Sequence, residues 1–189
     1  MKQAQLPLAL NLVFPPLNAK APRRVLHSGY AALDRQLPDG GWPLGGITEI
    51  FYPADYPEAL QLILPALAEL SHTERWLAWV SPPQAAAAIN LKIHGINRSR
   101  ILQIHPHPTT DGLWAVEKAL RSPTCGAVLS WVAGADHDAL ARLQNAAEAG
   151  NTCGFIFRPD WAYKSTSPAA LQIRLAQGAR SNELLVHPL

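Results

Sequence analysis

The chain has 189 residues, with 16 Lys and Arg against 14 Asp and Glu, 48% hydrophobic and 16% charged residues. That length suits one domain of about 150 residues with an arm, and the composition is too apolar for a disordered chain and sparse enough in charge to expect a partner surface. No apolar run reaches the ~18 residues of a membrane-spanning helix, so the sequence predicts a cytoplasmic protein.

Residues 1–25 form a basic arm. MKQAQLPLALNLVFPPLN is broken by glutamines and prolines and lacks a small-residue cleavage site, so it reads as a tail rather than a signal peptide. Lys2, Lys20, Arg23 and Arg24 give residues 1–33 a charge of 4 − 0 = +4, whereas residues 34–189 hold 12 basic and 14 acidic side chains, −2. Such an arm reads either as a contact for DNA or an acidic protein, or as a solubilising tail. Residues 26–189 make the domain. Leu26, Tyr30, Leu33 and Leu37 fall at helical spacing over 26–37, followed by the turn cluster PDGGWPLGG. ITEIFY (47–52) predicts a strand, and EALQLILPALAEL (58–70) a helix kinked at Pro65. RWLAWVSPP (75–83), RILQIHP (100–106), CGAVLSWVA (125–133) and CGFIFRP (153–159) read as further strands. Helices are expected over 85–94, closed by Gly95, over 112–121, and from Asp136 to Ala149, stopped by Gly150. AALQIRLAQ (169–177) and SNELLVHPL (181–189) suggest a final hairpin. Strands alternating with helices predict a mainly parallel sheet covered on both faces, and continuous apolar strands agree with it.

In open parallel sheets, ligands bind beyond the carboxyl ends of the strands. The first strand-to-helix turn is Tyr52-Pro-Ala-Asp-Tyr-Pro57-Glu58-Ala59. Set against the phosphate-loop pattern G-x-x-x-x-G-K-[ST], Tyr52 and Pro57 stand for the glycines, Glu58 for the lysine and Ala59 for the hydroxyl. Pro57 has no N–H to offer a phosphate. A Glu58 carboxylate ~5 Å from a phosphate repels it by ~3 kcal/mol at an effective dielectric of ~20. No nucleotide cofactor and no catalysis are expected.

The run Leu33-Asp34-x-x-Leu37, then Gly40-Gly41-Trp42-Pro43-Leu44-Gly45-Gly46-Ile47-Thr48-Glu49-Ile50, is similar to the segment leading into the phosphate loop of RecA-type recombinases. That resemblance implies a RecA-like domain whose catalytic places have changed. Trp79-Val80-Ser81 ends without the acid that activates water, and Trp131 stands where the magnesium-binding Asp belongs. Two families of this kind without ATPase motifs are similar to the chain. Gly40–Ile50, Leu113-Trp114-Ala115-Val116-Glu117, Cys125-Gly126-Ala127-Val128-Leu129-x-Trp131 and Arg142-Leu143-Gln144-x-Ala146-Ala147-Glu148-x-Gly150 resemble ImuA, accessory to translesion DNA synthesis in the SOS response. Arg75-Trp76-x-x-Trp79, Pro82-Pro83, Gly95-Ile96-Asn97-Arg98-x-Arg100-Ile101-Leu102 and Ser130-Trp131 resemble SulA, the SOS cell-division inhibitor. The ImuA resemblance is the main reading. It implies contacts with ImuB, an error-prone DnaE-type polymerase, RecA or the β sliding clamp in DNA repair. The SulA alternative implies FtsZ as partner, bound so that it cannot polymerise. A homo-oligomer is compatible with either.

Gln5-Leu6-x-Leu8-x-Leu10 in the arm resembles the peptides that grip the sliding clamp, leucines entering an apolar groove while the Gln amide holds the rim. The alternative is an arm docked on a subunit of its own kind. Trp42 and Trp161, in proline-flanked loops, and Phe51 and Tyr52, beside the altered phosphate loop, are candidate partner contacts. Trp76, Trp79, Trp114 and Trp131 are expected in the core. His105-Pro-His107 lacks a third ligand at zinc-like spacing, Cys125 and Cys153 read as core thiols in a reducing compartment, and Ser81 and Ser130 lack a nucleophile-elbow context. Lys92, Arg98 and Arg100 form a small basic loop, either solvated or a partner contact.

Overall fold

The computed structural model describes residues 24–53, 57–87, 89–106, 111–132, 134–163, 166–177 and 184–188. Residues 1–23 of the arm, with Gln5, Leu6, Leu8 and Leu10, lie outside the described residues, as does the link between the last two strands, while Val25, expected in the arm, belongs to the first strand. Two short strands, β1 (Val25–Leu26) and β2 (Trp42–Pro43), pair antiparallel. The main sheet contains β3 (Gly46–Tyr52), β4 (Trp76–Val80), β5 (Ile101–Ile104), β6 (Cys125–Ser130), β7 (Cys153–Pro159), β8 (Leu171–Gln177) and β9 (Leu184–Pro188). Their order is β5-β4-β6-β7-β3-β8-β9. Six strands run parallel and β9 pairs antiparallel with β8.

Both faces of this sheet are covered, and that explains the continuous apolar strands. On one face α2 (Leu64–Ser71) and the short α3 (Gln84–Ala87) cover Ile50, Leu77, Trp79, Leu129, Phe155 and Phe157. On the other, α4 (Asp111–Arg121) and α5 (His137–Gly150) cover Ile47, Ala78, Val80, Val128 and Ile156. Among the described residues no helix is long and apolar enough to cross a membrane.

Three local expectations change. The segment 26–37 is not one helix. Ser28 N–H donates to Asp34 Oδ1 at 2.8 Å, Gly29 turns with φ +84°, and only Ala31–Asp34 (α1) is helical. Leu26, Leu33 and Leu37 are buried even so. The helix expected over 58–70 is a 3-10 turn, Pro57–Leu62, followed by α2. Pro65 lacks the N–H that would reach residue 61 and its ring crowds that carbonyl, so the helix restarts around it, with Pro65 in the first turn. The carbonyl of Gln61 accepts from the Tyr30 hydroxyl instead, at 3.1 Å. The helix expected over 85–94 shrinks to α3 and a turn closed by Gly95 at φ +72°. Four consecutive alanines bury too little area to sustain a longer one.

At the end of α5, Gly150 is the last helical residue and Asn151 takes the left-handed cap position, φ +49°. A Cβ on Gly150 would lie 2.0 Å from the Leu120 carbonyl oxygen. Arg75 closes this helix end, donating to the carbonyls of Asn151 (2.9 Å) and Gly150 (3.1 Å).

Candidate functional site

The carboxyl ends of β3, β4, β6 and β7 form the edge where a parallel sheet takes its ligand. Alternation along β4, β7 and β3 sends Trp79, Phe157 and Tyr52 to the α2 face, and Trp131 follows β6 directly. These rings make a continuous row. Trp79 and Trp131 lie 6.1 Å apart between centroids, Trp131 stacks on Phe157 at 5.0 Å with 9° between planes, and Phe157 meets Tyr52 edge-on at 6.4 Å. Ser81 closes β4 in left-handed conformation, φ +54°, its N–H donating to the Ile104 carbonyl at 2.9 Å. Partial burial raises the Tyr52 hydroxyl above its ordinary pKa. Pro57 opens the 3-10 turn that contains Glu58, and Ala59 is buried. Among the described residues no three His, Cys, Asp or Glu side chains are placed to hold a metal ion.

Behind this edge, on the α4–α5 face, lies a buried polar cluster that sequence reasoning missed. Glu49 is fully buried. Arg158 Nη1 donates to its Oε1 at 2.5 Å, and Ser167 Oγ and Gln172 Nε2 donate to Oε2 at 2.5 and 2.9 Å. Arg158 Nη2 donates to the Ala135 carbonyl at 2.9 Å, and its guanidinium lies over Phe51 at 5.8 Å. A cleft of about 20 Å³ between Glu49, His137, Arg158 and Ser167 holds about one water molecule. The cluster ties β3, β7, β8 and the start of α5 together. Its signal was available: Glu49 and Arg158 are the lone charges in two strands otherwise apolar enough to be buried on both faces.

The candidate partner contacts separate into two groups. Trp42 and Phe51 are both 0% exposed, which overturns their reading as surface anchors. Trp42, in β2 opposite Leu26 of β1, packs edge-on against Phe155 at 5.5 Å, and Phe51 packs edge-on against Tyr163 at 5.4 Å. Tyr52 is half-buried. Trp161 is 78% exposed, on a turn braced by the bidentate Arg174–Asp160 pair at 2.6 and 2.7 Å. Two tryptophans expected in the core are at the surface. Trp114 (63% exposed) shares the outer side of α4 with Lys118, and Trp76 (39%) begins β4 under the Arg100 guanidinium at 5.8 Å. Cys125 and Cys153 are free and buried, and burial pushes the Cys153 thiol up to about 12. Ser130 is fully buried and His105 exposed, while His107 lies outside the described residues.

A two-faced sheet with rings packed along its ligand edge and aromatic side chains on its surface has the features of a contact-making α/β protein. The comparisons with known proteins give it a family. The family model described as "Cell division inhibitor SulA" matches residues 45–154. The chain is 39% identical over 122 residues to the cell division inhibitor SulA of Pectobacterium atrosepticum, covering 62% of this chain and 71% of that one. It is 35% identical over 115 residues to SulA of Serratia proteamaculans, 61% of this chain and 68% of the other. The crystal structure of SulA from Pseudomonas aeruginosa superposes with a TM-score of 0.49 at 29% identity, over 59% of this chain and 97% of that one. The chain belongs to the SulA family. This corrects the sequence reading, whose first choice was ImuA. Nothing among these findings supports a translesion role or its partners ImuB, the DnaE-type polymerase and RecA.

Proposed function

We propose that the chain is an SOS-response inhibitor of cell division that acts in the cytoplasm, without catalysis, by binding FtsZ and blocking its polymerisation. The family match carries this reading. The row Tyr52–Phe157–Trp131–Trp79 supports it, because stacked rings occupy the edge where a nucleotide would need glycines, a lysine and an acid. A mainly parallel sheet with helices on both faces supports a RecA-type origin for the scaffold. The braced, exposed Trp161 is the remaining candidate anchor near that edge.

The test has two arms. Overexpression is expected to give filamentous cells, and purified chain is expected to lower GTP-dependent FtsZ assembly, followed by light scattering, in proportion to the amount added. Normal division together with unchanged assembly overturns the proposal. A titration with millimolar ATP is expected to show no binding, and saturable binding or turnover would overturn the non-catalytic part alone.

A further inference from the structure

The free edge of β5 is built to receive something. β5 ends the sheet, paired only with β4 among the described residues, so its outer backbone groups face away from the ladder. Natural edges are blunted with lysine, proline or bulges, and Ile101–Ile104 (ILQI) contains no charge and no proline. Leu102 (47% exposed) and Gln103 are left open along it.

The charge around this edge says what would fit. Residues 75–106 contain Arg75, Lys92, Arg98 and Arg100 and no Asp or Glu, so 4 − 0 = +4. Arg75 is occupied at the end of α5. Arg100 is held over Trp76 and donates to the Glu74 carbonyl at 3.0 Å. Arg98 is exposed in the turn that leads into β5, and Lys92 and Ile93 (77%) are exposed in the loop before it. A second copy of this edge would bring two net-basic surfaces together, since the exposed Glu74 beside Arg100 is outnumbered by Lys92, Arg98 and Arg100. The chain's own arm, with Lys2, Lys20 and Arg23 and no acid in residues 1–23, would be repelled as well.

We infer that β5 is a docking edge for an extended, acidic segment of the protein partner, added as a further strand. Its backbone groups complete the ladder, an apolar side chain meets Leu102, and its carboxylates meet Lys92 and Arg98. This rests on the FtsZ reading for the identity of the partner and adds the mode of binding.

The experiment compares amide hydrogen exchange of the full chain alone and with purified FtsZ, and repeats binding with Leu102→Lys and with Lys92→Glu/Arg98→Glu, both at exposed positions. Slowed exchange over 101–104 in the complex, at least a tenfold loss of affinity in each variant, and weakening with added salt are expected. A complex that forms while 101–104 exchange unchanged overturns the docking edge and leaves the FtsZ reading standing. Protection that rises with concentration of the chain alone, in the absence of FtsZ, also overturns it, by making the edge a self-pairing one. Failure of any complex to form overturns both.

Discussion

Removing either member of the buried Glu49–Arg158 pair is expected to destabilise the fold severely, and removing both is expected to cost hardly more than removing one. The pair has its Glu49 side chain 0% and its Arg158 side chain 7% exposed, with Oε1 and Nη1 2.5 Å apart. Its attraction acts in a poorly screened interior, and either charge left alone there is uncompensated. Breaking such a pair costs about 3–5 kcal/mol, against a total stability of about 5–15 kcal/mol. For a domain of this size that lowers Tm by roughly 10 °C. Arg158→Met leaves a buried carboxylate with Ser167 and Gln172 as its donors among the described residues. Glu49→Leu leaves a buried guanidinium that still donates to the Ala135 carbonyl but has lost its carboxylate. The double variant has no buried charge here, but it removes the carboxylate that accepts from Ser167 and Gln172, two hydrogen bonds at about 1–3 kcal/mol each, so recovery is incomplete. Urea unfolding followed by the fluorescence of buried Trp42 and Trp79 gives the double-mutant cycle. Single-variant losses under about 1 kcal/mol, or a double variant whose loss equals the sum of the singles, would refute the reasoning.

Gln144 bridges α5 to the sheet, its Oε1 accepting from the N–H groups of Ile47 (3.0 Å) and Ala170 (3.1 Å). Gln144→Ala removes the acceptor of the buried Ile47 N–H, whereas Ala170 N–H keeps the Ile47 carbonyl at 3.0 Å, and it is expected to cost about 1–3 kcal/mol in the same unfolding assay. Gly150→Ala, whose Cβ would meet the Leu120 carbonyl oxygen at 2.0 Å, is expected to cost more than about 4 kcal/mol and to appear as insoluble or unfolded protein in circular dichroism. The Cys153 thiol, pushed from 9.0 up to about 12 by burial, favours the fold only while it is protonated in both states. Its contribution is intact below pH 9 and is lost as pH rises from 9 towards 12, because the unfolded thiol ionises first, with a slope of at most about 1.4 kcal/mol per pH unit. Subtracting the denaturation curves of Cys153→Ala from those of the parent isolates that slope, and a difference that stays flat across this range contradicts it.

The strands buried on both faces were legible as runs, since a parallel sheet between two helical layers favours apolar residues along Ile47–Phe51 and Cys153–Phe157, with Thr48 and Glu49 the buried polar exceptions. Long-range pairing was not legible. Two-residue strands such as Val25–Leu26 and Trp42–Pro43 carry no period, so a tryptophan at the centre of the core looked like a loop anchor. The reverse error at Trp114 had a signal available. On α4, Val116 and Leu120 mark the buried stripe, while Trp114 and Lys118, four residues apart, define the opposite side. Hydrophobic character alone sent that ring inward, whereas its helical phase sends it out.

The same distinction between character and placement bears on the carboxyl edge. A phosphate site disabled by loss of its lysine alone would leave a glycine-lined hollow needing a ligand to fill it. Here Tyr52 and Trp131, which the RecA resemblance would set against a glycine and an aspartate, reach each other through Phe157, and Trp131 reaches Trp79. Each aromatic contact contributes about 0.5–1.5 kcal/mol beyond burial, so the row supplies stability that a bound nucleotide supplies by mass action. A protein that works by presenting a surface gains from this exchange, since its shape then holds whatever the nucleotide level of the cell. On that argument the rings along the ligand edge and the open, acid-free strand at the far side of the sheet belong together. The first makes the scaffold rigid without a cofactor, and the second gives that rigid scaffold an edge on which to bind.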